Sequence, residues 1–333
     1  MPAADIKSRE PQNAASVLMV RPAGFGWNPQ TAASNAFQRI SGRSAGIPQQ
    51  AAVLGEFDAL ANALQRAGVE VLIAADTPQP AKPDAIFPNN WVSFHHDGTV
   101  ALYPLLAPNR RCERREEIID QVVREGAFRV ARLVDLSHRE AEQKYLEGTG
   151  SLVLDRTHRV AYACISPRTD LDVLGEFAQQ LDYELMTFEA LDGAGRPVYH
   201  TNVLMAIGAG FAVVCGESIA NAEHRTALFA KLRATGHDIV DITIGQMGDF
   251  AGNVLELAPE NGNLIAMSTT ALQSLTPAQR RLLESHANLN PVSIPNIEHF
   301  GGGGVRCMLA EIHLPKRRRV PGVPGAGAAL GDL

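Results

Sequence analysis

The chain has 333 residues, 45% hydrophobic and 20% charged, enough to bury a substantial core as one large domain or two ordinary ones. A formal net charge of −6 excludes the basic face that nucleic acid or an anionic membrane would need, and no apolar run is long enough to span a bilayer. The four cysteines, Cys112, Cys164, Cys215 and Cys307, are widely spaced and form no CxxC pair, which excludes a disulfide scaffold or zinc knuckle and fits a reducing cytoplasm.

In chain order, residues 1–15 are polar without an apolar h-region, and are expected to be a disordered N-terminal segment. Strands are expected at Ser16–Val20 and Val69–Ala74, flanking a helix over Gln49–Ala67 that places Ala52, Leu54, Phe57, Leu60, Leu64 and Ala67 at helical spacing. Further helices are expected at Glu113–Glu125, Leu171–Leu181, Asn221–Thr235 and Thr276–Ala287, the last opening on Thr276-Pro277 as N-cap and first helical residue. Strands are expected at Thr99–Leu102, Val160–Ala163, Phe211–Val214 and Asn263–Met267.

Between these elements one texture recurs: a polar or glycine-rich turn, then a short apolar strand. It appears at Phe87–Phe94, Glu147–Leu154, His200–Ile207, Gly248–Leu257 and around Cys307. With Asn90, Gly150, Asn202, Asn253 and Arg306 as reference points, the steps are 60, 52, 51 and 53 residues. A near-constant step of this size marks a repeated supersecondary unit. The expectation is a single α/β propeller-like catalytic domain over residues 16–315, built from five strand–strand–helix–strand units whose turns face one central cavity. A Pro- and Gly-rich tail with the basic run Lys316–Arg319 is expected to be disordered over 316–333.

The turns carry the chemistry. Cys307 follows four glycines, Gly301–Gly304, which let a ligand approach the main chain, and precedes an apolar run expected to be a strand. A buried structural cysteine is the bland alternative, since cysteine is among the most buried residue types. Thiol hydrolysis needs a nucleophile, a proton carrier and an orienting or second acid–base group, and Cys307, His200 and Glu147 supply these from three different repeats. Asn90 and Asn202 occupy two further such turns and would present amides to the same cavity. None of the remaining histidines has metal-ligand spacing, so neither metal nor organic cofactor is expected.

Five motifs together resemble the guanidine-modifying (pentein) superfamily, which holds arginine deiminase, agmatine deiminase, dimethylarginine dimethylaminohydrolase and the amidinotransferases. They are Asp84–Asn90, Asn109–Glu113, Glu147–Gly150, His200–Asn202 and Gly301–Cys307. The resemblance implies a fivefold pseudosymmetric α/β propeller acting on a small amino acid, with Cys307 as nucleophile, His200 moving protons, and Glu147 binding the substrate nitrogen or orienting His200. It further implies that Asp84 holds the α-amine and that Arg111 takes the α-carboxylate, with Arg110 the open alternative and Arg21 a weaker one. Asp249, in the fourth repeat, is either a cavity residue or a loop cap. A homodimer is left open.

The chain departs from the deiminase pattern at two positions. Deiminases that bind a guanidinium usually carry Asp where Asn90 and Asn202 stand. Exchanging two carboxylates for amides removes the counter-charges a desolvated cation needs, while an amide can donate to a carbonyl oxygen. The motifs Phe87–Trp91 and His200–Asn202 resemble the citrulline-utilisation hydrolases, which implies hydrolysis of citrulline to ornithine, ammonia and carbon dioxide through a thiocarbamoyl intermediate. The alternatives are a deiminase or dihydrolase acting on arginine or an N-acylarginine, an amidinotransferase, and a non-enzymatic binder on the same scaffold, which has no need of Cys307, His200 and Glu147 together.

Overall fold

The computed structural model describes residues 10–39 and 50–317. Fifteen strands follow one another as β1 (Ser16–Arg21), β2 (Glu70–Ala75), β3 (Val92–Phe94), β4 (Thr99–Leu102), β5 (Arg132–Asp135), β6 (Val153–Asp155), β7 (Val160–Cys164), β8 (Glu184–Phe188), β9 (Met205–Ile207), β10 (Phe211–Val214), β11 (Asp238–Asp241), β12 (Leu255–Leu257), β13 (Leu264–Ser268), β14 (Asn288–Val292) and β15 (Ala310–Glu311). They form five three-stranded sheets, in the orders β15-β1-β2, β3-β4-β5, β6-β7-β8, β9-β10-β11 and β12-β13-β14. The mixed α/β fold thus repeats one unit.

Within each sheet the first pair is antiparallel and the second parallel, as in β3–β4 (Val92 opposite Leu102) and β4–β5 (Thr99 opposite Arg132). A parallel pair needs a crossover, and a helix supplies it every time. The helices Gln50–Arg66, Glu116–Glu125, Leu171–Leu181 and Ala222–Ala234 cross the first four units in chain order. The fifth uses a pair, Thr269–Ser274 and Pro277–Glu284, the latter opened by a capping box between Thr276 and Gln279. The first helix buries Val53, Phe57, Leu60, Ala61 and Leu64 against its sheet. That stripe runs through Val53 while Ala52 is exposed, so the expected face is rotated by one residue at its start. Each fully buried Val, Leu or Phe contributes about 1.5–3 kcal/mol relative to exposure.

The chain closes on itself through its last strand. β15 joins the first sheet, with Val17 opposite Glu311, and Ile312 bridges to Phe94 of the second. Here the structure differs from the expected apolar strand directly after Cys307. Val305–Met308 form a 3₁₀ turn, and strand pairing starts only at Ala310. The thiol therefore sits on a tight helical turn, which displays it more sharply than a pleated strand would.

The domain edges differ as well. Residues 1–9 and 318–333 lie outside the described residues, but residues 10–15, expected to be disordered, are packed. Glu10 is buried and accepts from Arg159 at 2.7 Å, and Gln12 donates to the Leu154 carbonyl at 2.9 Å. At the other end Lys316 pairs with Glu70 at 2.6 Å over the Phe128 ring.

Successive motif turns meet glycine against carbonyl. A Cβ at Gly148, where φ is +47°, would lie 2.3 Å from the Asn89 carbonyl oxygen, and one at Gly252 would lie 2.5 Å from that of Val203. Only glycine lets the turns approach this closely. Gly148→Ala is expected to destabilise the fold by about 2–4 kcal/mol, from positive-φ strain plus backbone overlap. Urea unfolding of the variant checks this.

Candidate functional site

The motif turns Pro88–Asn90, Gly148–Ser151, Thr201–Leu204 and Val305–Met308 are single helical turns, each ending where an inner strand begins or shortly before one. Their polar residues converge on a narrow cavity of about 10 Å³ lined by Asp84, Asn90, Arg110, Arg168, His200 and Cys307. Thr31, Asn35, Gly301 and Gly303 form other parts of its wall. A larger, open groove lined by Glu10, His96, Arg132 and Asp182 lies elsewhere and is lined by no cysteine.

Glu147 is the fully buried hub. Its Oε2 meets His200 Nε2 at 2.8 Å, Arg168 Nη1 at 3.1 Å and Arg110 Nη1 at 3.7 Å, and its Oε1 accepts from the Leu106 amide at 3.1 Å. Burial alone would raise this carboxyl, but Arg168, His200 and Arg110 outweigh it and hold it well below the usual carboxylate range. An ionised carboxylate only accepts, so the His200 proton resides on Nε2 and Nδ1 carries the free lone pair. Burial lowers His200 to about 4, partly offset by Glu147, so the imidazole is a neutral base at pH 7. A Cβ at Gly150 would lie 2.7 Å from His200 Nδ1 and 2.5 Å from Asn90 Nδ2, so the glycine keeps this nitrogen clear.

Cys307 is buried at the cavity wall, its Sγ beside two amides. Asn253 Nδ2 lies at 3.2 Å, whereas Nδ2 and Oδ1 of Asn202 lie at 3.7 and 3.8 Å. Burial pushes the thiol up; the Asn253 hydrogen bond and the Arg306 charge oppose it without reversing it. Glu147 and Asn202 act from behind His200 and Cys307, since neither lines the cavity itself.

Asp84 is buried at the cavity wall. Its Oδ2 accepts from Asn28 at 2.7 Å and Thr31 at 3.2 Å, while its Oδ1 has no partner. A buried carboxylate oxygen left open is suited to a substrate ammonium. Asn90 accepts from Arg110 Nη1 at 2.9 Å. That contact turns its oxygen towards a guanidinium and leaves its amide nitrogen near Gly150.

Arg111 requires a correction. It is part exposed, pairs with Glu140 at 3.3 Å and bonds the Leu105 carbonyl, outside the cavity. Arg110 is the neighbour that enters, because residues one apart on a 3₁₀ turn point about 120° apart. Its fork, however, is held by Glu113 at 3.0 and 2.9 Å. Arg168, which the motifs did not single out, also lines the cavity and is as buried as Arg110. It reaches from the turn after β7, bonds Glu147, the Thr31 carbonyl and Ser34, and stacks 4.9 Å over Tyr199. Arg21 makes a surface pair with Asp58, and Asp249 lines a separate cavity with Phe37 and Glu298. Asn253 and Tyr199 were likewise not singled out as site residues. Tyr199 donates to the Gly302 carbonyl at 2.6 Å and packs 4.5 Å from the His200 ring. Among the described residues no group of three or more His, Cys, Asp or Glu side chains could hold a metal ion, and no helix is long and apolar enough to cross a membrane.

Because the folded-state value of His200, about 4, lies below its unfolded value near 6.5, its contribution to stability is present above about pH 6.5 and lost as the pH falls towards 4. The urea midpoint is therefore expected to fall across this window, and more steeply than in His200→Asn. Equal slopes in the two proteins would contradict a neutral, buried imidazole.

Comparison with known proteins places this site in context. No curated protein matched the sequence. Among solved structures, a variant of the N-terminal domain of ArgZ bound to substrate, "an arginine dihydrolase from the ornithine-ammonia cycle in cyanobacteria", is 17% identical with a TM-score of 0.67, over 90% of this chain and 99% of that one. AgrE in complex with L-arginine is 17% identical with a TM-score of 0.69, over 92% of this chain but 41% of that longer one. A dimethylarginine dimethylaminohydrolase adduct with S-methyl-L-thiocitrulline is 16% identical with a TM-score of 0.62, over 90% of this chain and all of that one. At these identities the likeness is one of fold. The sequence itself goes further: the family described as N,N dimethylarginine dimethylhydrolase, eukaryotic, matches residues 21–314, and the chain belongs to that family.

Proposed function

We propose that the five sheets close as a fivefold α/β propeller over residues 16–315, and that the cavity hydrolyses a C–N bond of a ureido amino acid, with citrulline as the substrate and Cys307 as nucleophile. Asp84 Oδ1 takes the α-ammonium, and Arg168 takes the α-carboxylate in place of the Thr31 and Ser34 contacts it now makes. The neutral reacting end carries this reading. Asn90 presents an amide to the cavity, Asn202 and Asn253 back the Cys307 sulfur with two more, and Glu147 is already paired with Arg168 and His200. Apart from Asp84, which this reading assigns to the α-ammonium, no uncommitted carboxylate lines the cavity to compensate a guanidinium, whereas an amide matches a ureido group.

Cys307 rests as a thiol. Its proton passes to His200 Nδ1 as sulfur adds to the ureido carbon, a C–S bond forms, and the carbonyl electron pair moves onto oxygen. Glu147 stabilises the resulting imidazolium through Nε2. Collapse restores the carbonyl and breaks one C–N bond, the departing nitrogen taking the proton from His200. Water, deprotonated by His200, then displaces the sulfur, which regains its proton, and the carbamate released loses carbon dioxide as its remaining C–N bond breaks. The products are ornithine, ammonia and carbon dioxide.

A second reading, hydrolysis of arginine itself, is favoured by the description of ArgZ as an arginine dihydrolase and by the complex of AgrE with L-arginine. Incubating the purified chain separately with citrulline and arginine separates the two. Ornithine and ammonia from citrulline alone, lost in Cys307→Ala, is the expected result. Ornithine from both substrates would indicate a dihydrolase, and citrulline accumulating from arginine would contradict the reading of the amides. In the same assay Gly150→Ala, whose new methyl collides with Asn90 and His200, is expected to lower kcat/KM by about a hundredfold.

A further inference from the structure

We propose that Asn253 is a further catalytic residue, whose side-chain N–H holds the Cys307 sulfur and stabilises the negative charge as the thiolate forms and later departs from the acyl carbon. This rests on the reading of Cys307 as nucleophile.

The geometry singles out this amide. Asn253 Nδ2 lies 3.2 Å from Sγ, inside N–H···S range, while Asn202 presents its nitrogen and oxygen to the sulfur at 3.7 and 3.8 Å with no preferred donor. The orientation of Asn253 is fixed by a second contact. Its nitrogen also faces the Asn202 main-chain carbonyl at 2.8 Å. A carbonyl can only accept, so a flipped amide would set oxygen against oxygen there and oxygen against sulfur at Cys307. Fixing this orientation leaves Asn253 Oδ1 buried without a partner, which ordinarily costs a folded protein. A Cβ at position 304 would approach that oxygen to 2.7 Å, so Gly304 makes room for it.

A main-chain hydrogen bond at Gly304 and the Asn202 amide at 3.7 Å also favour the thiolate, each by less than Asn253. The Arg306 guanidinium is engaged with Glu311 at 2.8 Å and the Leu309 carbonyl at 2.9 Å. Its field lowers the thiol from a distance, after the closer Asn253 contact. In a buried site a donor on the sulfur is worth more than the same contact in water. The step moves no extra atoms: the thiol proton still goes to His200, and Asn253 keeps its own protons throughout.

The test is the pH dependence of Cys307 alkylation by iodoacetamide in the full-length chain, followed by peptide mass spectrometry. It reads thiolate fraction independently of any substrate. Asn253→Leu removes the donor at similar size and without adding charge. The expected result is an alkylation midpoint raised by about one pH unit, with roughly tenfold slower alkylation at pH 8 and roughly tenfold lower kcat at little-changed KM. An unchanged alkylation profile in a folded Asn253→Leu would overturn the proposal. Should that variant not fold, the ¹⁵N side-chain resonance of Asn253 in the unsubstituted protein is followed with pH. It is expected to titrate with the thiol and to lose that titration in Cys307→Ala; insensitivity to the thiol would overturn the proposal equally. Turnover surviving in Cys307→Ala would instead remove the nucleophile reading, an outcome the alkylation profile keeps separate.

Discussion

The buried Glu147 carboxylate organises the site. It fixes the His200 tautomer through Nε2, anchors Arg168, lies within ion-pair distance of Arg110 and receives the Leu106 amide. Arg168 at the cavity wall depends on this one negative charge, since removing one partner of a buried pair leaves the other uncompensated at a cost of about 3–5 kcal/mol, whereas Arg110 also has Glu113. The same carboxylate converts a histidine that burial keeps neutral into a base whose lone pair is confined to Nδ1. The fold brings these groups together from separate repeats by setting glycine against carbonyl at successive turns, a contact no side chain would tolerate.

Around that charged hub the reacting end is made of amides. A carboxylate beside Cys307 would raise the thiol further and attract a cation, whereas an amide donates to sulfur or to a carbonyl oxygen without adding charge. The choice between ureido and guanidino substrates thus becomes a matter of counter-charge, for which a desolvated pocket is a strong discriminator. The scaffold is similar to that of ArgZ and AgrE, and a shared topology does not by itself set specificity.

Much of the architecture was legible in the sequence because its signals are local. The constant spacing of the motif turns announces a repeated unit, and the helical apolar stripes place the crossover helices to within a few residues of Gln50–Arg66, Glu116–Glu125 and Leu171–Leu181. Cys307, His200, Asp84 and Asn90 were legible because each ends or adjoins a polar turn, and the structure sets all four on one cavity. Arg111 was misassigned because two consecutive arginines share a motif, and only the phase of the 3₁₀ turn decides which faces inward. Arg168 left no local signal, since its importance comes from contacts with Glu147, Thr31 and Ser34, far apart in the chain. Asn253 stood at a recurring position, and the repeat alone could have flagged it. The strand expected after Cys307 failed because an apolar run of that length fits a 3₁₀ turn equally well.

The most direct test of the account is the chemical identity of the group carried by Cys307 during turnover. The unsubstituted protein is mixed with citrulline and acid-quenched within its first turnovers, and the Cys307 peptide is weighed by mass spectrometry. The account predicts a thiocarbamoyl adduct on Cys307 that carries the ureido carbonyl of the substrate. An adduct from arginine but none from citrulline, or an unmodified Cys307 in a protein still turning over citrulline, would contradict it.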